Sequence, residues 1–406
     1  MLLIQGKVQK NRQTEEALRK LRRQIPRTLA AEPLAMETVA AAADRLAREV
    51  LEGRLAWAAP GYDVAGIARM FLRENLEKRY RLELSHLPRE NGQGGRFLRQ
   101  PLGVLLHIAA GNMDVLPAYS VLEGLLAGNI NLLKLPSADS GLSLWLLKRL
   151  IEYEKKLQDY IYVFDTPSAD TQKMRQLMEL AHGIAVWGSD AAVQAVRAAA
   201  PANVKLIEWG HKLSFAYLYD SEVPEEKLRG LARHILATRQ LLCSSCQVIF
   251  VNTDDFEAVK SFGRRFARLL REQEKEYPLP GPIQGKLTIE SLTKKLEGFY
   301  EKNPCYRNRQ SSVICRADSR LELSPQFGNV YVKPLSEKKL TAALWPQKGY
   351  LQTAGIYPKE EERIRRLAAA GVTRICGIEE MSDVCLPDSH DGRLPLLEYS
   401  RLAFCR

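Results

Sequence analysis

Between residues 103 and 208 the chain alternates short apolar runs with helix-length segments, and this constrains its fold more than any other feature. Residues 103–109, 130–134, 160–164, 184–187 and 204–208 read as strands, separated by helical segments at 114–126, 141–157, 170–181 and 190–199. A strand that is apolar at nearly every position is buried on both faces. Such strands alternating with helices predict a parallel sheet covered by helices on both sides. A membrane span is the competing reading of the most apolar stretch, 102–135, but it needs ~18 or more nearly uninterrupted apolar residues. His107, Asn112, Asp114, Glu123, Asn129 and Asn131 interrupt this one, as does Pro117. No stable membrane insertion is expected.

A second series follows. Residues 214–219 read as a strand and 224–240 as a helix. The loop Cys243-Ser244-Ser245-Cys246 leads into a strand at 247–251, then a helix at 254–274 and a Pro-rich break, YPLPGPIQG. Strands at 330–333, 351–356 and 372–378, with a helix at 358–370, complete a second α/β region. Upstream, residues 1–95 read as helices, with Val39, Ala42, Leu46 and Val50 at helical spacing and Pro26, Pro33 and Pro60 as punctuation. Segment 88–97 reads as a turn-rich linker.

With 46% hydrophobic and 26% charged residues, the 406-residue chain has a globular composition. Its seven cysteines, an odd number, and its early polar start argue against a disulfide scaffold and for a reducing cytoplasm. The net charge of +11 raises nucleic acid as a partner. Arg19, Lys20, Arg22, Arg23 and Arg27 lie near Glu15 and Glu16, however, which suits a solvated helix face, and zinc-finger and RNP-like patterns are missing. No nucleic-acid partner is expected. A basic surface also suits an anionic ligand such as a phosphorylated cofactor or coenzyme A.

Five places could carry chemistry. Cys243 precedes a buried strand among small neighbours, and a thiolate there could accept an acyl group. It could equally be a small buried hydrophobe, or half of a metal or redox pair with Cys246. There is no second CxxC, and the remaining cysteines lack ligand-like spacing, so no metal is expected. Asn112 follows a parallel strand, where its amide could donate to an oxyanion or cap the next helix. Lys134, also at a strand end, could meet a ribose or phosphate, and the uncharged Ser137 would tolerate a 2′-phosphate. Gly188 and Ser189 form a turn before a helix, a place for phosphate oxygens, although no GxGxxG occurs. Glu208 ends a strand and could act as a base or be an ordinary surface charge.

Taken together, PLGVLLHIAAGN, GLLAGNINLLKLPS, AVWGSD, EWGHKLSFAY, CSSCQVIFV, LQTAGIYP, AGVTRIC and HDGR resemble the aldehyde dehydrogenase superfamily. More closely, they resemble its long-chain acyl-CoA reductase branch, the LuxC-type enzymes. The resemblance covers about residues 100–400. It implies an α/β, aldehyde-dehydrogenase-like fold of two α/β domains with mostly parallel sheets and a helical N-terminal segment. The expected parts are the helical segment 1–97, packed on the cofactor domain, a Rossmann-like NADP-binding domain at 98–215, a catalytic domain at 216–395 and a tail at 396–406.

The resemblance further implies roles. Cys243 would be the acylated nucleophile, with Asn112 and the Cys243 N–H as oxyanion hole. Lys134 and Ser137 would face the adenosine ribose, Gly188 and Ser189 the pyrophosphate, and Gly210 the nicotinamide. Glu208 takes the place of the superfamily's general base. Pro325-Gln326-Phe327-Gly328 stands where aldehyde oxidisers carry a Glu-Ile-Phe-Gly-like motif, and Cys246 stands where relatives have proline. The implied reaction is NADPH-dependent reduction of an acyl thioester to the aldehyde, with NADH as a second possible donor. The acyl group would come from coenzyme A or an acylated partner protein, and a homo-oligomer is expected. Two other readings stand beside it: NAD(P)-dependent aldehyde oxidation with Glu208 activating water, and a non-catalytic subunit that docks an acyl-transfer partner.

Overall fold

The computed structural model describes residues 1–54, 64–85, 95–111, 115–137, 139–220, 222–279, 289, 293, 304–383 and 389–406. Asn112, Pro60, most of the linker 88–97 and most of the Pro-rich break lie outside them. The chain divides into two units. The first comprises Met1–Gly210 with Cys385–Arg406, and the second His211–Val384.

In the first unit, β1 (Leu2–Ile4) and β2 (Lys7–Gln9) precede helices α1 (Thr14–Ala30), α2 (Met36–Leu51), α3 (Val64–Met70) and α4 (Arg73–Leu84). Then come β3 (Arg96–Pro101), β4 (Val104–Ile108), α5 (Leu116–Leu126), β5 (Ile130–Lys134) and α6 (Leu142–Tyr153). β6 (Ile161–Phe164), α7 (Thr171–Leu180), β7 (Gly183–Trp187), α8 (Asp190–Ala199) and β8 (Lys205–Trp209) follow. The sheet order is β2-β1-β6-β5-β4-β7-β8. Strands β4 to β8 are parallel, and β1 joins β6 antiparallel. β4 to β7 are buried along their whole length, which is why each reads as a mostly apolar run, with His107, Asn131 and Lys134 as the buried polar exceptions. The strand order reverses between β4 and β7, the point where open α/β sheets bind ligands.

Three details differ from the sequence reading. The first 95 residues include the hairpin β1–β2, whose three-residue strands are too short to show a period. Pro26 lies inside α1 instead of ending it. Proline in a helix costs about 3 kcal/mol, and Ala17, Leu18, Leu21 and Ile25, buried on one face of the same helix, offset that. β3 begins inside the expected linker.

The second unit contains β9 (Leu213–Leu218), α9 (Glu225–Thr238), β10 (Cys246–Val251) and α10 (Phe256–Gln273). β11 (Cys305–Arg307), β12 (Ser312–Cys315), β13 (Asn329–Pro334), β14 (Leu351–Tyr357) and β15 (Arg374–Gly377) complete its sheet, in the order β11-β12-β13-β10-β9-β14-β15. All neighbours are parallel except β11 with β12. Residues of α9 and α10 build one apolar core, and residues of Leu340–Leu344 and Glu361–Ala369 another.

The last stretch returns to the first unit. β16 (Ser400–Cys405) pairs antiparallel with β3 from Ser400↔Pro101 to Cys405↔Arg96. The two units divide after Gly210, and residues 400–405 of the expected tail 396–406 carry a paired strand. That strand comes from pairing between residues about 300 positions apart, which no local pattern carries.

Candidate active site

In the second unit the chain leaves α9 through Arg239 and Gln240, at φ of 51° and 58°. These two left-handed residues turn it sharply into the Cys243 loop. Gln240 is buried, and its side chain spans two segments: Nε2 donates to the Cys246 carbonyl (2.8 Å), and Oε1 accepts from Gly328 N–H (3.1 Å). Gln247 does the same in reverse. It donates to the Gln240 carbonyl (3.0 Å) and accepts from the Ser324 hydroxyl (2.8 Å). Arg239 O accepts from Phe327 N–H (2.8 Å). Pro325-Gln326-Phe327-Gly328 is thus one wall of the loop's frame.

The Ser214 hydroxyl, at the start of β9, donates to the Cys243 carbonyl at 2.6 Å and accepts from Thr353 N–H at 3.0 Å. His234 of α9 accepts from Cys246 N–H through Nε2 (3.2 Å), which leaves Nδ1 to donate to Ser382 Oγ (2.7 Å). Burial, with Arg374 nearby, pushes the His234 pKa down to about 4 and keeps the ring neutral. The frame fixes the backbone on both sides of Cys243, whose side chain stays only partly buried.

Cys246 differs. It is fully buried at the head of β10, where its thiol donates to the Val248 carbonyl and burial pushes its pKa up to about 12. A thiol so buried is a poor nucleophile and a poor metal ligand. Among the described residues no group of three or more His, Cys, Asp and Glu is placed to hold a metal ion.

In the first unit the candidate residues lie at the carboxyl ends of the parallel strands. Lys134, the last residue of β5, is buried, donates to Ser168 Oγ at 2.8 Å, and has its pKa lowered by burial. Ser137 sits in an exposed turn nearby in the chain. Gly188 follows β7 at φ +154°, where an added Cβ would lie 3.2 Å from Ala192 Cβ, so a side chain there would crowd the first turn of α8. Ser189 caps that helix, its hydroxyl accepting from Ala192 N–H at 3.4 Å. Gly210 ends the unit beside Asp190 and Val193. Glu208 is held by a fork from Arg197 of α8, Nε to Oε1 at 2.9 Å and Nη2 to Oε2 at 2.7 Å. Both carboxylate oxygens are engaged, which obstructs the use of Glu208 as a base.

Nothing in the local sequence marks Ser214, His234, Gln240 or Gln247, and His390 stands out there only as part of HDGR. Polar residues beside strands are too common for their types alone to single these out.

Residues 37–402 match the family model described as acyl-CoA reductase (LuxC). The chain belongs to that family. It is 24% identical over 311 residues to a long-chain acyl-protein thioester reductase of Vibrio harveyi, covering 75% of this chain and 64% of that protein. It is 25% identical over 318 residues to another from Aliivibrio fischeri, covering 73% and 62%. The chain thus matches a little under two thirds of these relatives' length. Among solved structures, the methylmalonate-semialdehyde dehydrogenase of Oceanimonas doudoroffii superposes with a TM-score of 0.75 at 15% identity, over 100% of this chain and 97% of that one. Aldehyde dehydrogenase 21 of Physcomitrella patens gives 0.74 at 13%, over 98% and 90%. The fold of this family member is therefore aldehyde-dehydrogenase-like. Among the described residues no helix is long and apolar enough to cross a membrane.

Proposed function

We propose that this LuxC-family chain reduces an acyl thioester to the aldehyde through a thioester on Cys243, with NADPH as reductant. The observation that carries the reading is the partly buried Cys243 on a loop braced by Ser214, Gln240 and Gln247. In the first step the Cys243 thiolate attacks the thioester carbonyl. A C–S bond to Cys243 forms, the carrier's C–S bond breaks, and the carrier leaves as a thiolate. The Cys243 N–H would donate to the oxyanion in between.

The first unit fits a dinucleotide. Lys134 and the uncharged Ser137 would meet the ribose and its 2′-phosphate, and Gly188 with the amino end of α8 would meet the pyrophosphate. A Cβ at Gly188 would fill that cradle. Gly210 leaves room for the nicotinamide end. When bound, the reduced cofactor would supply hydride to the acyl carbon; the C–S bond to Cys243 then breaks, releasing the aldehyde and restoring the Cys243 thiolate. This needs no hydrolytic water, so a Glu208 committed to Arg197 is compatible with it. Aldehyde oxidation, which needs a free base there, is less well supported. The relatives' names favour an acylated protein as donor, with acyl-CoA as the small-molecule counterpart.

The test is a mass spectrum of the protein incubated with acyl-CoA and no cofactor. One acyl adduct is expected, on Cys243, discharged as aldehyde when NADPH is added. Cys243→Ala should lose both adduct and turnover, and Cys246→Ala should keep both. Turnover retained in Cys243→Ala would overturn the reading.

A further inference from the structure

The HDGR motif plays no part in the chemistry above. His390 N–H donates to the Arg393 carbonyl (2.8 Å), and Arg393 N–H donates back to the His390 carbonyl (2.9 Å). Between them Asp391 and Gly392 stand at φ of 51° and 76°. Two successive left-handed residues closed in this way form the I′ type of turn, for which Asp-Gly is a favoured pair. The turn is therefore written in the sequence, and what it presents is His390.

The His390 ring lies 4.9 Å from Trp187 and 4.9 Å from Trp209, whose own rings are 5.4 Å apart. Trp187 is the last residue of β7 and Trp209 the last of β8, paired side by side. Both indoles are anchored from below. Trp187 Nε1 donates to Ser120 Oγ (3.1 Å), which also bonds His107 Nδ1 (2.7 Å), and Trp209 Nε1 donates to the Tyr399 hydroxyl (3.3 Å). The tryptophans are 8% and 2% exposed. The His390 side chain keeps 35% of its surface open. A core histidine would be buried, and a solvated one would not rest on two fixed indoles. This one rests on both indoles, with its Nε2 3.8 Å from Asp391 Oδ2 and part of its ring exposed.

Its place in the sheet suggests what that side meets. The order β5-β4-β7-β8 puts Lys134 two strands from Gly188, roughly 10 Å at ordinary strand spacing. On the cofactor reading, the adenosine ribose lies at Lys134 and the pyrophosphate at Gly188. The remaining end of an extended dinucleotide then falls on the β7–β8 side, where Gly188, Gly210 and His390 stand.

We propose that His390 is a binding residue for the nicotinamide end of the dinucleotide, its imidazole held on the Trp187–Trp209 shelf so that the open side meets that ring. The inference rests on the cofactor reading and adds a residue to it.

Calorimetric titration with two probes tests it: NADPH, and adenosine 2′,5′-bisphosphate, which lacks the nicotinamide half. The wild-type protein should bind both. His390→Ala should weaken NADPH about five- to tenfold, the size of one lost ring contact or hydrogen bond, and leave the bisphosphate unchanged. Unchanged bisphosphate binding also shows that the variant is folded. Lys134→Ala should weaken both ligands, which checks the assay. If His390→Ala alters neither ligand, or weakens both alike, this inference is overturned and the cofactor reading survives. A wild-type protein that binds neither ligand overturns the cofactor reading, and this inference with it.

Discussion

Two buried polar clusters, one in each unit, are built on opposite principles. Around Cys243 the frame is neutral. Ser214, Gln240, Gln247 and His234 satisfy backbone groups of the loop without a formal charge among them. In the first unit Arg79 lies buried between Glu83 at 2.6 Å and Glu123 at 2.7 Å. Glu83 also accepts Leu396 N–H at 2.7 Å, while Glu123 Oε2 has no hydrogen-bond partner. Neutral hydrogen bonds set atoms in place at little desolvation cost. A buried charged cluster ties helices α4 and α5 together, but it leaves a carboxyl open to titration. The first arrangement fixes the Cys243 loop and the second fixes packing.

The largest effect should come from breaking the charged cluster. Arg79→Ala leaves two carboxyl groups without their cation, and should cost about 3–5 kcal/mol of stability by denaturant titration. Replacing Arg79, Glu83 and Glu123 together by apolar residues should recover most of it. A single variant as stable as wild type would erase the contrast. The neutral frame should respond in rate instead. Ser214→Ala should slow acylation of Cys243 about tenfold or more, because the attacking group loses its orientation, while stability falls by only about 1 kcal/mol. Acylation at the wild-type rate would show that the Ser214 bond does not orient the nucleophile.

The smaller, sharper test is pH. Burial raises the Glu123 pKa from the ordinary 4.5 to about 7 against the pull of Arg79. Between those values the folded chain keeps a proton that the unfolded chain loses. The contribution is complete below pH 4.5 and is lost as pH rises through 7. His234 behaves oppositely. Its pKa falls from 6.5 to about 4, so its contribution is complete above pH 6.5 and is lost as pH falls through 4. Thermal melts of Glu123→Gln should lack the first dependence and those of His234→Gln the second. Identical pH curves for the two variants would refute the opposition.

Much of the fold was legible in the sequence. β4, β5 and β7 lie where mostly apolar runs placed strands, because burial on both faces leaves that mark. The short strands β1, β2, β11 and β12 escaped notice, and β3 with β16 did too. Three or four residues carry no period, and a two-stranded ribbon half exposed to water needs no apolar run. The candidate site was legible as residue types at strand ends, with Lys134 closing β5 and Gly188 and Ser189 between β7 and α8. Cys246 could not be told from Cys243 by type. Only burial separates the thiol in the core from the one left partly open.

The sequence by itself therefore determined where the buried strands of the first sheet and the helices between them fall and which chemical groups stand at their ends, since both follow from apolar period and local residue type. Only the tertiary structure decided what those groups touch. Glu208 meets Arg197, the Cys243 carbonyl meets Ser214 from 29 positions away, and His390 rests on Trp187 and Trp209. A hydrogen bond or ring contact depends on distance and direction in space, and folding sets these by bringing together residues that the local pattern treats as unrelated.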